Sequence, residues 1–224
     1  MNVAAEGYEP PSVSELQRHL WANRKPVDPV DEVWSNLYIS DESTARDKAI
    51  LSDLGITHIV NGADGRIRSP ASLYSDMAIT YYGVQAADHP SFNLSPFFYP
   101  TAAFIQTALS QKGRVLVHCA MGVSRSATLA LAYLMICEGL PLLEAICTVR
   151  KHRHICPNSG FLEQLRHLDM VLEEKRTNEN WKQTDGGTDG GGEEGAEAAT
   201  GEGAATAGQG AGDRRVRAGG TAGD

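Results

Sequence analysis

The sequence predicts an α/β domain with a central, mostly parallel sheet flanked by helices and an anion-binding loop set between a strand and a helix. Three observations lead there. Short apolar runs rich in β-branched residues alternate along the chain with stretches of helical periodicity, the pattern of strands linked by crossover helices. One junction, Gly113 to Ile136, passes from strand to helix through a short loop. The composition then changes near Thr177: the remaining residues hold 14 of the 23 glycines, and nine acidic side chains against four basic ones. That stretch has almost no large apolar residue after Trp181, so it cannot offset its ordering entropy and is expected to be disordered. The chain of 224 residues therefore divides into an N-terminal extension (1–29), one folded domain (30–176) and a Gly/Ala/Glu-rich tail (177–224).

Taken in order, residues 1–11 are polar. Ser12 and Glu15 frame a capping box, and Val13, Leu16, Leu20 and Trp21 fall on one face of a short helix laid on the domain. Val33–Ile39 reads as the first strand. Asp41 or Ser43 caps a helix with Ala45, Ala49, Ile50 and Leu54 inward and Gly55 as its stop. Ile56–Val60 is a second buried strand, in which His58 is structural. A loop with Gly62, Gly65 and Pro70 leads to a third strand, Ile79–Val84. Ser95 caps and Pro96 opens the next helix, with Pro100 marking a kink or a restart inside it. Pro141 opens a helix with Leu143, Ala145, Ile146 and Val149 inward. It ends in a basic run, Arg150 to His154, where cations suit a helix C-terminus. Asn158 caps a last helix from Ser159 to about Lys175.

The stretch from Arg114 to Ser126, RVLVHCAMGVSRS, carries the chemistry. Val115, Leu116 and Val117 form a strand behind the Gly113 turn, and the residues from Ser126 onward are strong helix formers. Backbone N–H groups in such a loop turn inward, and the helix dipole adds positive character, so the junction cradles an anion. A cysteine at its mouth ionises easily. Arg125 supplies a planar fork suited to two oxygens of a phosphate. Nucleophile, anion nest and bidentate cation within seven residues point to phosphoryl transfer to sulfur. The other reading of such a residue, a buried cysteine in a β–α turn, explains neither His118 nor Arg125.

Composition sets further bounds. The formal net charge is −8, but most of it belongs to the tail, so the acidic balance says little about the surface around the cradle. The four cysteines (Cys119, Cys137, Cys147, Cys156) show neither metal spacing nor a disulfide framework. Cys137 and Cys147 read as small core residues. Cys156 is a loop thiol, with a redox partnership to Cys119 as the sharper alternative. A reactive thiolate suits a reducing compartment. The opening residues do not read as a signal peptide, and the sequence contains no apolar run of about 18 residues. The expectation is a cytoplasmic protein, also nuclear, with no membrane or nucleic-acid partner. Arg214, Arg215 and Arg217 make a small basic cluster that reads as solvated.

His118-Cys119, five residues, then Arg125-Ser126 resembles the signature of the cysteine-dependent protein tyrosine phosphatases, and HCAMGVSRSAT resembles its dual-specificity branch. With Asp-Glu-Val-Trp near residue 31 and Gly-Ile-Thr-His from Gly55, the chain is similar to the small atypical members of testis and skeletal muscle over about Val30–Arg176. The resemblance implies a single phosphatase domain whose phosphate-binding loop lies between strand and helix. Cys119 is then the nucleophile and Arg125 the phosphate clamp. Ala120, Met121, Gly122, Val123 and Ser124 bind the phosphate, Ser126 eases departure of the thiolate, and His118 orients the loop. Asp88, in a loop 31 residues before Cys119 and followed by Phe92-Asn93-Leu94, takes the place of the general acid. His89 is a lesser candidate. The resemblance also gives Arg153 a second-phosphate contact, against its plainer reading as a helix-end cation, and gives Asn158 a role in steadying the loop. It implies no metal or other cofactor. The substrates it implies are phosphorylated proteins, with MAP kinases or other signalling kinases among them, and neutral Ala120, Met121 and Val123 favour phosphoprotein over phosphoinositide or RNA. Two other readings stand beside it. A rhodanese-like sulfurtransferase also opens an anion loop after its cysteine, but leaves Asp88 without a role. A catalytically weak module that binds phosphoproteins or masks a kinase shares the fold, though such relatives replace the Cys, Arg or Asp.

Overall fold

A computed structural model describes residues 8–22 and 28–184. The expected tail from residue 185 onward, with its arginine cluster, lies outside the described residues, as do residues 1–7. The elements are α1 (Val13–Trp21), β1 (Val30–Trp34), β2 (Leu37–Ser40), α2 (Glu42–Ala45), α3 (Lys48–Asp53), β3 (His58–Asn61), β4 (Thr80–Gly83), α4 (Phe98–Ser110), β5 (Val115–His118), α5 (Arg125–Ile136), α6 (Leu142–His152) and α7 (Ser159–Thr184). Single 3₁₀ turns at Ala71–Tyr74 and Ser95–Phe97 complete them.

The five strands lie in the order β1-β2-β5-β3-β4. All neighbours are parallel except β1 and β2. The expected first strand is therefore two strands. The chain reverses at Ser35-Asn36, where Asn36 takes a left-handed φ of 58°, a conformation asparagine tolerates. Glu32 accepts from the Asn36 N–H at 2.8 Å and ties the turn. A two-residue Ser-Asn turn without Gly or Pro, flanked on both sides by strand formers, hid that reversal.

Strand side chains alternate between two apolar layers. Val115 and Val117 join the larger layer, while Leu116 joins the smaller one with Ile59, Tyr38 and Leu51. Helix α5 is the spine of the larger layer: every residue from Arg125 to Met135 is buried, which explains why its sequence is apolar all round. Helices α4, α6 and α7 pack around it.

Several elements differ from expectation for local reasons. The region after β2 holds two short helices, capped by Asp41 and Asp47, and Leu51 points inward where Ala49 was expected. Ser95 does not cap; it bonds to Asn93, and the chain restarts as α4 at Phe98. Pro100 thus lies in the first turn of α4, where a missing N–H costs nothing. Trp21 is 59% exposed, while Leu16 and Leu20 are buried and Val13 packs against the same core; the capping box of α1 forms as expected. Cys147 is exposed, since Ala145, Ile146 and Val149 take the inward positions of α6, and Cys137 is half-buried. Helix α7 runs to Thr184, past the expected end near Lys175 and into the first residues of the stretch expected to be disordered from 177, and after Gly160 it meets no Gly or Pro until Gly186.

The register matters most for function. Ser40 and Asn61 both pair with His118, and Gly83 pairs with Asn61. The carboxyl ends of four parallel strands are level, and the loops leaving them meet at one edge, where an open α/β sheet places its ligand.

Candidate active site

The loop Cys119–Ser124 leaves β5 and enters α5 at Arg125. In a trans peptide the carbonyl of one residue and the N–H of the next point in opposite directions. Donors outside the loop hold its carbonyls. The Glu42 N–H donates to the Ala120 carbonyl at 3.1 Å, the Cys156 N–H to Val123 at 2.7 Å and the Thr128 N–H to Ser124 at 2.8 Å. Arg153 Nε donates to the Gly122 carbonyl at 2.8 Å. The N–H groups of Met121, Val123, Ser124 and Arg125 are thereby turned into the cradle. Gly122 is required at the tightest point. It has φ of +68°, and a Cβ there would meet the Ser40 carbonyl oxygen at 2.4 Å.

Cys119 sits at the floor, 2% exposed. Its Sγ lies 3.3 Å from Ser126 Oγ and accepts from the Gly122 N–H at 3.3 Å. Burial pushes the thiol up, but hydrogen bonds from Ser126, the Arg125 charge and the Gly122 N–H outweigh it and hold the thiol below its ordinary value. The N-terminus of α5 adds its dipole. His118 is fully buried, with Nδ1 3.4 Å from the Cys119 carbonyl oxygen. Burial lowers it to about 4, so it is neutral at physiological pH and carries no proton to or from the site.

Arg125 and Asp88 close the cradle from above. Arg125 donates through Nη1 to the Ala86 carbonyl at 3.1 Å, and its Nε is buried without a hydrogen-bond partner, 3.8 Å from Asp88 Oδ2. A guanidinium fork with a buried donor not yet hydrogen-bonded is suited to an incoming anion. Asp88 Oδ1 accepts from Ser124 Oγ at 2.7 Å and from Asn158 Nδ2 at 3.0 Å. Its loop is thus fastened to the anion loop and to the start of α7. Asn158 also caps α7, its Oδ1 accepting from the Phe161 N–H at 3.0 Å. His89, the lesser acid candidate, turns back to Ser91 at 2.7 Å.

The structure thus brings Cys119, Arg125, Ser126, Ser124, Asp88 and Asn158 to one place, with Met121 on the rim at 71% exposure. Arg153 lies elsewhere than a second-phosphate contact requires. It is 1% exposed and sits behind the loop, paired with Asp31 at 2.6 Å. The sequence reading missed the outer supports: the N–H groups of Glu42 and Cys156, the Ala86 carbonyl, and Asp31. Three of these are backbone groups, which no residue type advertises. Asp31 opened the recognised Asp-Glu-Val-Trp run but had no visible partner.

The comparisons with known proteins agree with this geometry. A family described as dual specificity phosphatase, catalytic domain, matches residues 37–170. The chain is 54% identical over 174 residues to dual specificity protein phosphatase 13B of Homo sapiens, covering 76% of this chain and 88% of that protein. The crystal structure of human DUSP28 superposes with a TM-score of 0.60 at 29% identity, covering 68% of this chain and 99% of that one. Human tyrosine phosphatase-like serine/threonine/tyrosine-interacting protein gives 0.56 at 31% identity, covering 63% and 96%. The catalytic-domain match spans more than half of this sequence and includes the whole of the anion loop. The chain accordingly belongs to the dual specificity phosphatase family, as one of its small atypical protein phosphatases.

Proposed function

We propose that the protein removes phosphate from phosphotyrosine and from phosphoserine or phosphothreonine on signalling proteins through a phosphocysteine intermediate. The observation that carries this reading is the environment of Cys119: a sulfur whose thiol is held low by Ser126, Arg125 and the Gly122 N–H, at the floor of a loop of inward N–H groups. In the first step the Cys119 thiolate attacks phosphorus, the bond to the leaving oxygen breaks, and Asp88 gives that oxygen a proton. The loop N–H groups and the Arg125 fork hold the three equatorial oxygens as their charge grows. In the second step Asp88 takes a proton from water, the water oxygen bonds to phosphorus, and the Cys119 thiolate departs, eased by the Ser126 hydroxyl. Phosphate leaves and the starting state is restored. His118, neutral and buried, orients the loop.

Four free cysteines and a thiol held low suit a reducing compartment, and so a cytoplasmic or nuclear site of action. Among the described residues no helix is long and apolar enough to cross a membrane. Phosphorylated signalling proteins, MAP kinases among them, are the substrates this reading favours. Hydrolysis of a peptide bearing phosphothreonine and phosphotyrosine tests it. Wild type releases both phosphates, Cys119→Ser releases neither, and Asp88→Ala slows release on the order of 10²–10⁴-fold. Full turnover by Cys119→Ser would end the phosphocysteine scheme, and release from phosphotyrosine alone would restrict the substrate class.

A further inference from the structure

Four donors hold the outer face of the anion loop, and one differs in kind. Glu42, Cys156 and Thr128 donate backbone N–H groups, Thr128 adding its neutral hydroxyl to the Ser124 carbonyl, whereas Arg153 donates from a buried, charged side chain. Its Nε bonds the Gly122 carbonyl at 2.8 Å, and its Nη1 bonds the Asp28 carbonyl at 2.8 Å and Asp31 Oδ2 at 2.6 Å. Its remaining Nη2 is buried without a hydrogen-bond partner and lies 2.6 Å from where a Cβ on Gly122 would stand. The guanidinium is therefore wedged between β1 and the back of the loop. It has no exposed surface with which to meet a substrate.

We propose that Arg153 is a positioning residue for the phosphate loop, and that Asp31 fixes it there. The proposal deepens the phosphatase reading and rests on it. The Gly122–Val123 peptide plane carries the argument. Drawing the Gly122 carbonyl outward turns the Val123 N–H toward the bound phosphoryl group. Gly122 tolerates several orientations, because glycine has little conformational preference of its own, so something outside must choose. A charge-assisted bond from a planar, rigid fork chooses more firmly than a neutral donor does. The pair is an expensive way to build a strand contact. Burial raises the Asp31 carboxyl in spite of Arg153 beside it, with Asp28 adding to the rise and His152 opposing it. A buried guanidinium paired with a half-buried carboxylate is poor evidence of stability gained, and here the pair secures a direction in space. Asp28 lies just ahead of β1 and Asp31 within it, so the start of the domain is wired to the phosphate loop.

The test compares wild type with Arg153→Met, Arg153→Lys and Asp31→Asn on two substrates: para-nitrophenyl phosphate, which has one phosphate and nothing else to hold, and the diphosphorylated peptide. Alkylation of Cys119 by iodoacetamide across pH is followed in parallel. A positioning role lowers kcat on both substrates by the same factor in Arg153→Met, on the order of 10- to 100-fold, and moves the alkylation midpoint upward. Arg153→Lys recovers part of the loss. Asp31→Asn gives a smaller loss of the same kind, and the Asp31→Asn/Arg153→Met double variant is no worse than Arg153→Met alone. A loss confined to KM for the diphosphorylated peptide, with para-nitrophenyl phosphate turnover intact, would overturn the proposal in favour of a second-phosphate contact. So would a lowered melting temperature with kcat and the alkylation midpoint unchanged, which is the mark of a merely structural pair. If Arg153→Met does not fold, Arg153→Lys and Asp31→Asn still decide between these outcomes. The alkylation midpoint reads the loop directly. It therefore separates failure of this proposal from failure of the phosphocysteine reading, which Cys119→Ser tests.

Discussion

The inner and outer faces of the anion loop are built on opposite plans. The inner face comes from one contiguous stretch, His118 to Ser126, with only Asp88 and Asn158 added from elsewhere. The outer face is assembled from distant segments: Ser40 at the end of β2 and Glu42 just after it, Asp31 on β1, and Arg153 and Cys156 after α6. In the proposed reaction the inner groups other than His118 meet the phosphoryl group or the atoms that react with it. The outer groups lie behind the loop: Glu42, Cys156 and Arg153 hold its carbonyls, Asp31 pairs with Arg153, and the Ser40 carbonyl crowds Gly122. Reactivity here is local in sequence, while the geometry that makes it useful is distributed over the fold.

The sharpest way to break this division is at Arg125. Lysine keeps the charge and loses the fork. Arg125→Lys should cut kcat on the order of 10²–10³-fold with a normal melting temperature, because a donor aimed at developing charge is lost while the helix is kept. A drop of less than threefold would mean that the bidentate clamp is not used. On the outer face, Gly122→Ala should fail differently. The added methyl has no room beside the Ser40 carbonyl, and φ of +68° strains any other residue. Stability should fall by about 1–3 kcal/mol, and turnover should fall with it. Chemical denaturation and kcat measured together separate the two patterns.

His118 marks the boundary between the faces, and its burial is readable in solution. Its ordinary value of 6.5 drops to about 4 in the fold. Between those limits the unfolded chain binds more protons than the folded one, so stability rises with pH across that window. It is whole above pH 6.5 and is lost as pH falls, the deficit reaching about 3 kcal/mol near pH 4. The unfolding free energy of wild type minus that of His118→Gln, measured from pH 7 to 4.5, isolates this effect from the carboxylates. A difference curve that stays flat would show that His118 reaches solvent.

Ser126→Ala should act more mildly. Removing its hydroxyl takes away a lowering influence on the Cys119 thiol and the donor that eases thiolate departure. The acid limb of the kcat/KM profile should move to higher pH, and phosphocysteine should accumulate as its hydrolysis slows on the order of tenfold. A burst of product ahead of slow turnover is the measurement. Unchanged burst and acid limb would remove Ser126 from the second step.

These contrasts explain which parts of the molecule the sequence discloses. The parallel sheet is legible because buried strands and amphipathic helices alternate, and the inner face is legible because its parts are adjacent. The β1–β2 reversal is hard to see because its turn, Ser35-Asn36, has neither Gly nor Pro and is flanked on both sides by strand formers. The outer face is illegible because backbone N–H groups carry no residue signature. A charged side chain such as Arg153 reads as a surface cation until burial and Asp31 are seen. Sequence resemblance could assign Arg153 a role only by position, and position does not say which side of the loop a side chain takes.

Asn158 belongs to both faces, so it offers the finest cut. Its Oδ1 caps α7 by accepting from Phe161, while its Nδ2 steadies Asp88. Asn158→Ala removes both contacts, and should cost about 1 kcal/mol of stability as a lost cap along with a modest fall in kcat. Asn158→Asp keeps an acceptor of equal capping strength but sets a carboxylate against Asp88 in place of a donor. It should leave stability near wild type and lower kcat at least as far as Asn158→Ala does. If the two variants instead lose activity in proportion to stability, the bond to Asp88 does nothing beyond holding α7 in place. In that case Ser124 Oγ sets the position of the Asp88 carboxylate, while Gln164 holds the rest of the loop at Phe92, Leu94 and Ser95.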